Sequence, residues 1–158
     1  MQSSEDIMLS VFGESTRQRV EDAIERTLDY IRQKYPKWNG CPGGDLRLWL
    51  LWHWCQGLVA PIEDPATGAL VALVVVRLFD EPAGYETAYL HNPHGRICYV
   101  ELAIAENKNA LRAAVEALRL RHGAPVYLMR DRPLKGLGAR IFLWKRYGSL
   151  LEAQNVNS

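Results

Sequence analysis

The stretch ICYVELAIAENKNALRAAVEALRLRHGAPVYLMR, Ile97 to Arg130, changes its hydrophobic rhythm twice. Ile97 to Ala105 is a short, nearly continuous apolar run of strand length. From Glu106 to His122 the spacing becomes helical, with Ala110, Leu111, Ala114, Val115, Leu118 and Leu120 supplying apolar contacts. Gly123 is placed to end that helix, and Pro125 to Arg130 reads as another strand. A strand, helix, strand unit of this length predicts a parallel pair with a right-handed crossover.

Upstream, Val20, Ile24, Leu28, Ile31 and Tyr35 form one stripe, so residues 14–35 read as an amphipathic helix. Ser15 and Gln18 suggest a capping box at its start, and Pro36 stops it. After a turn-rich connector, Asp45 can cap a second helix through Leu46, Trp49, Trp52, Trp54 and Cys55. That helix is apolar nearly all round. Its tryptophans suit core packing, a ligand pocket or a partner surface. Asp64, Pro65 and Gly68 mark a turn between a short strand, Gly57 to Ile62, and the valine-rich run Ala69 to Phe79, predicting an antiparallel hairpin. Asp80 to Arg96 reads as a long loop with a short strand at Glu86 to Leu90. Ala139 to Tyr147 reads as a last antiparallel strand, and 154–158 as a frayed tail.

The expected fold class is therefore α/β in the α+β sense: a mixed, mostly antiparallel sheet with a central parallel βαβ unit and N-terminal helices. The 158 residues, 48% hydrophobic, suit one domain over 1–158, with its core at 46–147. A formal net charge of +1 provides no global field for nucleic acid or an acidic membrane. The irregularly spaced Cys41, Cys55 and Cys98 read as reduced, buried thiols, which favours a cytoplasmic location. Residues 1–10 lack the basic and apolar regions of a signal peptide, and no stretch has the length of a membrane helix.

Three groups bear on chemistry. His91, His94 and Cys98 have donor types that zinc accepts, but no fourth ligand stands at a recognisable spacing, so no metal is expected. Glu101 interrupts an apolar strand, alternating with Tyr99 and Ala103; it either faces water, the usual habit of glutamate, or sits in a pocket as a general base. His53 has the same ambiguity between core residue and base. The turn from Arg130 to Arg140, with Arg132 and Lys135, suits either an anion or a solvated hairpin, and its glycine spacing is not that of a P-loop. There is no nucleophile elbow, and only Ile141 to Tyr147, with Trp144, Lys145, Arg146 and Tyr147, hints at nucleic acid.

The order of elements from Leu46 to Tyr147 resembles the acyl-CoA-dependent N-acyltransferase (GNAT) fold, most specifically over Ile97 to Arg130. Where the family carries its Gln/Arg-x-x-Gly-x-Gly/Ala motif, this chain reads Ala105, Glu106, Asn107, Lys108, Asn109, similar to the unorthodox turns of divergent members from phages and mobile elements. The resemblance implies acetyl-CoA or another acyl-CoA as cofactor, held by Ala103, Ala105, Asn107, Lys108 and Asn109. It implies an amine acceptor, Glu101 or His91 as base, and Tyr127 or Tyr147 as the acid for the leaving thiolate. A non-catalytic GNAT-like module that binds a protein partner is the alternative. Oligomeric state is not legible.

Overall fold

A computed structural model describes residues 14–38, 45–132 and 137–144. Helix α1 runs over Glu14–Lys34 and α2 over Leu46–Cys55; strands β1 (Val59–Glu63) and β2 (Leu70–Phe79) come next. A short 3-10 turn (Pro82–Glu86), β3 (Ile97–Ala105), α3 (Lys108–His122), β4 (Tyr127–Arg132) and β5 (Leu137–Leu143) complete the order. The five strands form one sheet in chain order, antiparallel except for the parallel pair β3 and β4. This is the mixed, mostly antiparallel sheet with one parallel strand pair and N-terminal helices that the element order implied.

Local chemistry explains the boundaries. Asp45 accepts a hydrogen bond from the Leu48 amide at 3.0 Å and caps α2 as expected. Asn107 does the same for α3, accepting from the Ala110 amide at 2.8 Å, so Glu106 stays outside the helix. The β1–β2 turn closes on Asp64, whose carbonyl accepts from Gly68 at 2.7 Å, and Gly68 takes φ +73°, a conformation that favours glycine. Two expectations need correction. Ser15 lies inside the first turn of α1 and cannot be its cap. Glu86 to Leu90 is not a strand: Pro82 starts a 3-10 turn, and Arg77 takes the loop's carbonyls in place of a neighbouring strand.

The sheet divides two cores. On one face Ile24, Leu28 and Ile31 of α1 and Leu46, Trp49 and Leu50 of α2 cover Val59, Leu73, Val75, Leu102 and Ile104. On the other, Ala110, Ala114 and Leu118 of α3 cover Ala60, Ala72, Val74 and Val76. Trp49 is fully buried, and Trp52 and Trp54 are half-buried, so the tryptophans of α2 serve packing; Leu48 and Leu51 are its exposed apolar residues. Cys55 is exposed, contrary to the expected burial, while Cys98 is half-buried and its thiol is pushed up to about 12 by desolvation. Among the described residues no helix is long and apolar enough to cross a membrane.

Candidate functional site

The parallel ladder is short. It pairs Ile97 with Tyr127, Cys98 with Leu128, Tyr99 with Met129 and Val100 with Arg130. Beyond that rung β3 continues through residues 101–105 without a β4 partner among the described residues, and β4 continues to Arg132 beside β5. Both outer ladders are irregular at this level. On the β2 side Val75 pairs with Leu102 and Val76 with Val100, which leaves Glu101 as a bulge; on the β5 side the register shifts between Arg130 and Arg132. The two central strands thus part where each is also bent.

The bulge aims Glu101 into the face covered by α1 and α2. Its Oε2 accepts from the indole Nε1 of Trp49 at 2.8 Å and stands 2.9 Å from His53 Nε2. Its Oε1 accepts from Arg77 Nε. Water exposure, the expected habit of this glutamate, is therefore corrected: the side chain is only 11% exposed, and a buried cation and an indole take the place of most of its solvent. Burial alone would raise its pKa, yet the His53 ring and the Arg77 guanidinium outweigh that and hold it below the ordinary carboxylate range. Two of its roughly four acceptor positions are filled by hydrogen bonds, from Trp49 on Oε2 and from Arg77 on Oε1, which leaves a position open on Oε1.

Arg77, only 2% exposed, carries the rest of the network. Its Nη1 donates to the carbonyls of Thr87 at 2.7 Å, Leu90 at 2.9 Å and Gly84 at 3.3 Å, and its Nη2 to that of Tyr85 at 3.0 Å. One guanidinium therefore ties the long loop to the strand bearing Glu101. His53, 1% exposed, places Nδ1 2.7 Å from the Trp49 carbonyl, so it serves the buried network from α2.

The opposite face holds a cavity of about 340 Å³. Val74 and Val76 of β2, Cys98, Val100 and Ala103 of β3, Leu128 of β4 and Leu111, Val115 and Leu118 of α3 make it apolar. Among the described residues its wall carries the basic side chains Arg119, His122 and Arg130 and no carboxylate. Val100 and Ala103, which flank the level where the strands part, both line the cavity.

The turn into α3 departs from simple expectation. The Glu106 side chain lies against α1, within 2.7 Å of Lys34 Nζ and accepting from Tyr30 Oη at 2.8 Å. Lys34 and then Tyr30 hold its carboxyl below the ordinary range. Its charge is thus met by a lysine. Asn107 uses its side chain as the cap, and the Glu106 amide donates to the Val71 carbonyl at 2.8 Å. The amides of Lys108 and Asn109 have no hydrogen-bond partner among the described residues and face the end of the helix axis.

The structure brings Glu101, Ala103, Ala105, Asn107, Lys108 and Asn109 to one end of β3. It does not bring His91 or Tyr127 there. Tyr127 pairs at the first rung, ~10 Å along the strand from the parting point, and packs with Phe79, Ile97, Tyr99 and Met129. His91 accepts from the Leu78 amide at 3.1 Å through Nδ1, so its neutral ring carries the proton on Nε2 and offers a donor. Desolvation, then His122 and His53, lower its pKa. Tyr147, Lys135 and Cys41 lie outside the described residues, as does all but the backbone of Arg132. His91, His94 and Cys98 do not converge: among the described residues no three His, Cys, Asp or Glu side chains are placed to hold a metal.

No family model matches the chain, and no curated protein matches it. Among solved structures it is similar to the GphF GNAT-like decarboxylase in complex with isobutyryl-CoA, at 22% identity and a TM-score of 0.41. The match covers 63% of this chain and 63% of that one, less than two thirds of either.

Proposed function

We infer that this chain is an acyl-CoA-dependent N-acyltransferase that seats its thioester in the gap between β3 and β4. The observation that carries this reading is the parting of the parallel strands after Val100 and Arg130, beside an apolar cavity and below two uncommitted helix amides. A strand edge without a partner presents alternating N–H and C=O groups, which an extended chain of amides such as the pantetheine arm can pair with. Ala103 and Ala105 lie on that edge. The amides of Lys108 and Asn109, at the positive end of α3, suit a pyrophosphate, and the Lys108 ammonium adds a cation.

In this reading the acceptor amine reaches Glu101 from the gap between β3 and β4, through the tenth of that side chain that remains exposed. The amine nitrogen bonds to the thioester carbonyl carbon, the carbon–sulfur bond breaks, and the thiolate leaves. Glu101 takes the amine's proton on the position of Oε1 that remains open, while Arg77, Trp49 and His53 keep the carboxylate in place. No protein nucleophile is required, because direct attack relies on positioning and a proton acceptor.

Titration calorimetry and thermal denaturation with acyl-CoA test the reading, followed by thiol release in the presence of small amines. Binding raises the melting temperature in step with the ratio of ligand concentration to Kd. Absence of heat and of any thermal shift at millimolar acyl-CoA would overturn it.

A further inference from the structure

Resting on that reading, we propose that the cavity between α3 and the sheet is an acyl-chain pocket, and that the donor thioester carries a medium-length aliphatic acyl group instead of acetyl. About 340 Å³ lies within the range that encloses a small organic ligand. An acetyl group reaching in from the gap places one methyl against this wall and leaves the rest unfilled. A chain of roughly six to ten carbons fills it, since pockets of this size commonly take ligands of that bulk.

The lining chooses between chemical classes. It comes mostly from valine, leucine and alanine side chains of β2, β3, β4 and α3, with no carboxylate among the described residues. The polar groups on the α3 side are already engaged: Arg119 Nε donates to Glu116 Oε2 at 3.0 Å, and His122 Nε2 donates to the Gly57 carbonyl at 2.7 Å. An acyl group ending in a carboxylate therefore finds no free cation on that wall, and an aliphatic terminus costs nothing there. Arg130 differs. It stands at the last rung of the parallel ladder, lines the cavity and has no anionic partner among the described residues. Its guanidinium complements the negative charge of a CoA ester at the mouth while the apolar wall takes the chain. Charge at the opening and hydrocarbon beyond it describe an amphiphile, and a fatty acyl-CoA is one.

The test is a calorimetric series of acetyl-, butyryl-, hexanoyl-, octanoyl-, decanoyl- and succinyl-CoA on the full chain. Affinity is expected to rise about fourfold per methylene, the equivalent of ~0.8 kcal/mol for each buried CH₂, and then to level off. Succinyl-CoA is expected to bind no better than butyryl-CoA. Val115→Phe, which fills the cavity from α3, removes the dependence on chain length. As a readout independent of that variant's folding, methyl resonances of Val76, Val100 and Leu128 shift with octanoyl-CoA and stay in place with acetyl-CoA. Equal affinity across the series with silent methyls overturns the inference while the acyl-CoA reading stands. Tighter binding of succinyl-CoA than of octanoyl-CoA overturns the aliphatic assignment. Failure of every thioester to bind removes the acyl-CoA reading and this inference with it.

Discussion

Replacing Glu101 by glutamine keeps the side chain's shape and removes its charge from a closed, buried network. Arg77 is 2% exposed and the Glu101 side chain 11%, so little water reaches the pair to replace the lost anion. Breaking a buried ion pair from one side costs about 3–5 kcal/mol, because the remaining charge is left without a partner. Glutamine keeps one acceptor oxygen for Trp49 or Arg77 but turns an NH₂ toward the other donor, so the lower end, about 3 kcal/mol, applies. For a chain of this size each kcal/mol moves Tm by roughly 2–4 °C, so Glu101→Gln lowers Tm by about 6–12 °C. The acid limb carries a second signature. The folded pKa of Glu101 is depressed, so the unfolded chain binds the extra proton first; the carboxylate's stabilisation is present above the unfolded value near ~4.3 and is lost as pH falls toward the folded one. Glu101→Gln removes that share, and urea midpoints of the variant fall less steeply than those of the parent below about pH 4.5. A variant within about 1 kcal/mol of the parent, with an unchanged acid limb, would refute the reasoning, since that is the scale of an exposed pair. Loss of turnover without loss of stability would assign the carboxylate to chemistry alone.

Gly95→Ala places a Cβ 2.5 Å from the Phe79 backbone nitrogen, so the loop's return must shift; about 1–3 kcal/mol is expected to be lost by urea denaturation. Gly68→Ala meets no atom within 4 Å, and its cost, about 1–2 kcal/mol in the same assay, comes from φ +73° alone. Asn107→Ala removes the cap of α3 and costs about 0.5–2 kcal/mol, read as lower helicity and a lower urea midpoint. His91 has a depressed folded pKa, so the unfolded chain takes the proton more readily and stability falls as pH drops below about 6.5; a nitrogen-15 spectrum showing Nδ1 as the protonated atom at pH 7 would contradict its hydrogen bond from Leu78.

Much of the scaffold is legible because its signals are local. Asp45 before an apolar run, Asp64 with Gly68, and the change of period at Ala105 each act within a turn of chain, and each produces the element it announces. The candidate site is less legible because its decisive feature is a register. Strict alternation puts Tyr99, Glu101 and Ala103 on one face; in the structure Leu102 and Ile104 join the α1 and α2 core while Ala103 packs toward α3. The one-residue bulge that causes this is a property of pairing with β2, a separate strand across a long loop, and no pattern inside β3 records it. A usable signal nevertheless stands in the two strands together. LVALVVVRLF carries one cation, Arg77, and ICYVELAIA one anion, Glu101, each alone among apolar residues. Burying either charge is costly unless it meets a partner, and two antiparallel neighbours in one sheet bring the pair within diagonal reach when Arg77 lies opposite Tyr99, two residues from Glu101. That is the observed pairing. The buried pair therefore selects the register, the register leaves Glu101 as the extra residue, and the extra residue marks the level at which β3 leaves β4. Charge in the core, strand geometry and the opening proposed for the thioester are consequences of one constraint, which is why a substitution at Arg77 or Glu101 reaches both the stability of the sheet and the gap beside it.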